Sequence, residues 1–267
     1  MTHPAHPWPG SIREINDLPR AEKLAIYESL IPDWVYPMFG IHPDDNTVRG
    51  TGVVRMRCPT GSRTVEISVY GAPDATEPVL YLHMGDTFNS QLAVLMVVVN
   101  DPTSQRFSVD VDEYGNSTQL GTQSRNLPEE IRAMQAGLAP GQVRRGLRIF
   151  RSAIPIFERF VSCMGHNLFL IEPLFYHNAI AFERYGFAYS RGIRKMQTIH
   201  REFVPGGSLH ASLDGSTPFR HPDAWQTVCG RSWAIHDGVL GEPFTGIQMY
   251  RRVGLDAGIQ TFPGAHW

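Results

Sequence analysis

The stretch FYHNAIAFERYGFAYSRG, residues 175–192, follows the apolar run NLFLIEPL at 167–174 and decides the fold. An apolar run enters a short helix at about 176–185, which buries Ala179, Phe182 and Tyr185. Gly186 then supplies a left-handed residue where a β-carbon would be costly, and Phe187 opens the next strand. The unit is strand–helix–strand, the building block of an α/β sheet.

Working outward, the period upstream is two. TVEISVY at 64–70 alternates, and so does VLYLHMGD at 79–86, with Leu80, Leu82 and Met84 on one face and Tyr81 and His83 on the other. LAVLMVVV at 92–99 reads as a strand buried on both faces. RFSVDVDEYG at 106–115 alternates as well, which predicts an antiparallel meander. Helices are expected from Asp17 to Ile31, from the N-cap Asn126 to Gly137, and over 138–165 with Pro155 inside. GFAYSRGIRKMQTIHREF at 186–203 reads as one or two strands. A turn-rich composition follows. The expected organisation is an extended arm over 1–16, an α/β domain over 17–204, and a C-terminal extension over 205–267 packing on it. The fold class is α/β, a mixed, mostly antiparallel sheet with helices on both faces.

The 267 residues are 42% hydrophobic and 19% charged, with a net charge of −2. That balance suits a globular chain and gives no footprint for nucleic acid or an anionic membrane. Three scattered cysteines, Cys58, Cys163 and Cys229, point to a reducing compartment. MTHPAHPWPG lacks the apolar run of a signal peptide, and no stretch of 18 apolar residues occurs, so the expected location is the cytoplasm.

NLFLIEPL with HNAIAFERYGF resembles the second half of the GNAT superfamily of acyl-CoA N-acyltransferases, through Asn178, Ala179, Phe182, Glu183, Gly186 and Phe187. The resemblance implies an acetyl-CoA or other acyl-CoA cofactor and transfer of its acyl group to an amine of a small-molecule or peptide substrate. It also implies a turn whose backbone N–H groups hold the pyrophosphate ahead of a helix. PGQVRRGLR at 140–148 is the nearest text, with Gly141, Gln142, Arg144, Arg145 and Gly146, and its Gln-to-Gly spacing is one residue longer than the family pattern. On this reading Asn178 also belongs to the cofactor site. Glu172 or His83 takes the amine's proton, and Tyr185 or Tyr176 returns one to the thiolate.

The residues admit other readings. Arg144, Arg148 and Arg151 share a face if 138–165 is helical, and such a face is either an anion site or simply solvated. Glu172 is either a base or a structural carboxylate. His83, His166, Glu172 and His177 could meet at one sheet end and hold iron or another divalent metal. Ser232, His236 and Asp237 have the letters of a hydrolytic triad without the elbow around the serine. A non-catalytic binding protein on the same scaffold is a further alternative. The aromatic extension could form a lid or a homodimer contact.

Overall fold

A computed structural model describes residues 8–38, 53–121, 123–147 and 149–267. In chain order the elements are α1 (Ile12–Asn16), α2 (Arg20–Glu28), α3 (Val35–Met38), β1 (Val54–Arg57), β2 (Thr64–Tyr70), β3 (Pro78–Asp86), β4 (Leu92–Val99), α4 (Leu127–Gln135), α5 (Phe150–Cys163), β5 (Leu168–Ile171), α6 (Tyr176–Arg184), β6 (Ala188–Arg191), α7 (Ile193–Phe203), α8 (Ser208–Ala211), α9 (Val228–His236) and β7 (Gln248–Arg252). The protein is α/β, with a seven-stranded, mostly antiparallel sheet and helices. Residues 41–46 (IHPDDN) and Arg148 lie outside the described residues.

The chain divides into two compact units. The first comprises 1–102, 146–171 and 250–255; the second comprises 103–145, 172–249 and 256–267.

In the first unit β1 to β4 pair antiparallel in order, and β5 joins β4 in parallel. Val65, Ile67 and Val69 of β2 are buried, as alternation requires. Residues 12–16, read from sequence as part of an arm, are helical instead. Asp86 at the end of β3 accepts the N–H groups of Ile12 (2.8 Å) and Arg13 (2.9 Å), a cap supplied from 73 and 74 residues away. Ile12 and Ile15 are fully buried, and Asn16 donates to the carbonyls of Ser62 and Thr64. Asp17 consequently ends α1, and Pro19 caps α2.

The alternation of β3 and β4 departs from expectation. Pairing runs His83↔Met96 and then Met84↔Val94, so Leu95 is an extra residue in β4, a β-bulge. It is 47% exposed where a strand buried on both faces was expected. The faces switch at the bulge. Val79 and Met84 are both buried although they are five positions apart, while Leu80 and Leu82 are only half-buried.

The second unit holds two further corrections. Phe107 and Val109 are buried as alternation predicted, but 106–115 is not a strand: among the described residues its pairing is the single bridge Val111↔Ser117. Side chains take the ladder's place. The Asn126 amide donates to the carbonyls of Ser108 and Val111, Glu129 accepts the Ser108 N–H, and Thr118 Oγ1 donates to Val109. Residues 193–203 form a helix and not a strand, because Met196, Ile199 and Phe203 bury one face at a spacing of three and four.

The Gly186 junction is as expected. Gly186 has φ 75°. Its N–H donates to Glu183, and that of Phe187 to Phe182, the paired bonds of a Schellman cap. The Phe182 and Phe187 rings meet at 5.2 Å.

Candidate functional site

In the first unit the chemistry gathers around the bulge. His83 lies opposite Met96, the residue after Leu95, and opposite Glu66 on its other side. Tyr81, on the same face, donates to Glu66 (3.1 Å) and has its ring 6.5 Å from His83. Burial and the Glu66 bond both raise the Tyr81 pKa. β5 pairs with β4 only at Ala93 and Val94, so Leu95–Val99 run on past its end. A β-carbon on Gly146 would stand 3.2 Å from the Val99 carbonyl, so the chain entering α5 is held close to the end of β4. Ile149 precedes α5 and makes no side-chain cap, and its carbonyl accepts the N–H groups of Ser152 (2.9 Å) and Ala153 (3.0 Å). The helix expected over 138–165 begins only at Phe150, with Pro155 inside it. Arg144 therefore shares no helix face with Arg151.

Four residues of the expected coenzyme loop lie in the second unit, turned onto their own neighbourhood. Gly141 has φ 76°, and a β-carbon there would meet the Phe175 ring at 2.5 Å. Gln142 accepts the Ala139 N–H at 2.7 Å. Arg144 donates to the Ser104 carbonyl and Arg145 to that of Ala136 (3.3 Å). Asn178 accepts the Phe175 N–H, capping α6. No helix starts at this turn, so Gly146, in the first unit, is the member placed ahead of one.

The remaining candidates are dispersed. Glu172 is exposed and accepts from Gln248 Nε2 (3.1 Å). His166 Nε2 lies 2.7 Å from the Gly10 carbonyl. Tyr185 is half-buried at the end of α6, and Tyr176 is buried. Among the described residues no group of three or more His, Cys, Asp or Glu could hold a metal ion, and His83, His166, Glu172 and His177 make none.

Sequence reasoning missed the polar core of the second unit, which is organised by α9. Ser232 Oγ lies 3.0 Å from His177 Nδ1, so the serine's partner is His177 and not the neighbouring His236. Burial, with His236 nearby, pushes the His177 pKa down to about 3. With both side chains closed to solvent, the pair is a structural contact and not an accessible nucleophile. His236 Nε2 lies 3.2 Å from Glu130, which also accepts from Arg125 Nε (2.9 Å). Arg125 donates onward to Asp237 (3.1 Å), and Asp237 accepts from Thr217 and Arg220, each at 2.8 Å. Burial alone would raise the Glu130 and Asp237 pKa values; these bonds outweigh it and hold both carboxyls below the ordinary range. The partners are 106 and 112 residues apart in sequence, and no local motif announces them.

Beside Cys229 and Gly230 of α9, a cleft of about 260 Å³ is lined by Met134, Leu138, Phe219 and Trp233. Phe219 and Trp233 stack at 5.1 Å, and the indole N–H donates to Leu138 (2.8 Å).

Compared with known protein families, curated proteins and solved structures, the chain matches none.

Proposed function

We propose that the protein binds an acyl-coenzyme A and transfers the acyl group to an amine. The bulged, partly unpaired β4 carries this reading. A bulge leaves backbone groups outside the ladder, and a thioester carbonyl needs N–H donors where its oxygen gains charge. The run Leu95–Val99 beyond the end of β5 offers an extended edge along which the coenzyme's amide-bearing arm can lie. Gly146 and the start of α5 lie at the far end of that edge, where the positive end of the helix dipole favours the charge of a pyrophosphate.

In this reaction the amine nitrogen attacks the thioester carbon. The C–N bond forms as the C–S bond breaks, and coenzyme A leaves as the thiol. On this reading His83, beside the bulge, takes the amine's proton. The test is release of free thiol from acetyl-coenzyme A with a panel of amines. His83→Gln should lower turnover by about 10²-fold or more while leaving coenzyme affinity intact. Amide formation at an unchanged rate in that variant would remove His83 from the chemistry, and no amide with any amine would remove the activity.

A further inference from the structure

The cleft beside Cys229 opens onto the core of the second unit. Leu138, Phe219 and Trp233 belong to one buried cluster with Phe107 and Ala133, and Met134 packs against it. These walls are held in place. Trp233 is 1% exposed and is tied to Leu138 by its indole N–H. On the other side α9 closes tightly on the short 3-10 turn Pro222–Gln226: a β-carbon on Gly230 would stand 2.5 Å from the Ala224 carbonyl. The Gly230 N–H donates to Thr227 Oγ1 (2.9 Å), which caps α9 at that point. The space of about 260 Å³ is therefore pre-formed. An apolar cavity of about 150 Å³ holds a benzene ring, so this one has room for a ring with a short chain.

The rim is polar and carries charge of one sign. His221 and Asp223 line the opening, with side chains 68% and 71% exposed. His221 Nδ1 accepts the Asp223 N–H (3.1 Å), so in this bond the imidazole is neutral. Asp223 Oδ1 accepts from Gln226 Nε2 (3.1 Å), an uncharged donor. Among the described residues no arginine or lysine lines the cleft. Arg220, close by in sequence, spends Nε and Nη2 on Asp237. An apolar chamber under a carboxylate with no cation beside it complements an apolar body that ends in an ammonium, and disfavours one that ends in a carboxylate.

We infer that this cleft binds a small arylalkylamine, with its ring against Met134, Phe219 and Trp233 and its ammonium at Asp223. Ring burial supplies the affinity, and the rim carboxylate selects the charge. The site lies wholly in the second unit and does not depend on the coenzyme reading.

The experiment is calorimetric titration with 2-phenylethylamine and no coenzyme, at about pH 7.5, where a primary amine is charged and an ordinary histidine is not. The expected result is saturable binding that also shifts the Met134 methyl resonance in methyl-labelled protein. The acid 3-phenylpropionate, with a similar body and the opposite charge, should bind about tenfold more weakly. Asp223→Asn changes only an exposed carboxylate, so it should fold normally and bind the amine about fivefold more weakly. No saturable binding, or saturation that leaves the Met134 methyl unmoved, would overturn the site. Equal affinity in Asp223→Asn, or equal affinity for the acid, would overturn the assignment to an amine.

Discussion

Ser232 Oγ and His177 Nδ1 stand 3.0 Å apart inside the second unit, and His177 is too deeply buried to take a charge cheaply. Above pH 6.5 the imidazole is neutral in both the folded and the unfolded chain. Below it the unfolded chain takes a proton that the folded one refuses until about pH 3. Stability should therefore fall with pH over that window, by about 1.4 kcal/mol per unit, or about 2 kcal/mol between pH 6.5 and 5. Denaturant titrations at the two pH values check this. His177→Gln should reduce the slope, and a wild-type midpoint that does not move would contradict the burial.

Glu130 joins Arg125 to His236 at 3% side-chain exposure. Glu130→Leu leaves the Arg125 guanidinium with Asp237 alone and should cost about 3 kcal/mol. The depressed Glu130 and Asp237 pKa values stabilise the fold above the ordinary carboxylate range, and that contribution is lost as pH falls through their folded values. The acid limb of the wild-type stability profile should be steeper than that of the variant.

Two left-handed glycines should respond differently to alanine. At Gly137, φ 80°, nothing stands near the new β-carbon, and the cost is backbone strain of about 1 kcal/mol. At Gly141, φ 76°, the β-carbon would also lie 2.5 Å from the Phe175 ring. Gly141→Ala should lose clearly more stability than Gly137→Ala by chemical denaturation; equal losses would contradict the packing at Phe175.

What was legible in the sequence was local. The Gly186 cap, the Asn126 cap and the two-residue period of β2 each depend on a few neighbouring residues, and each is present. Two misreadings share a cause: a short pattern was read without its partners. FSVDVDE alternates, but Asn126 and Glu129 take its backbone groups. IRKMQTIHREF follows a strand, but its own apolar spacing is helical. At the candidate site, His83 was found because a histidine near a strand's end is conspicuous. The Leu95 bulge was not, because it is a matter of register between β3 and β4 that neither strand encodes alone. The α9 network escaped for the same reason: the bonds that join it, Ser232 to His177, His236 to Glu130 and Arg125 to Asp237, close over 55, 106 and 112 residues.

Thermal unfolding with acetyl-coenzyme A tests the central claim most directly. At a hundred times its dissociation constant the ligand should stabilise the protein by about 2.7 kcal/mol and raise Tm by about 5 °C. Gly146→Val, which crowds the Val99 carbonyl, should lose most of that shift while folding normally without ligand. No shift at millimolar acetyl-coenzyme A, or an undiminished shift in the variant, would contradict a coenzyme site along β4 and the start of α5.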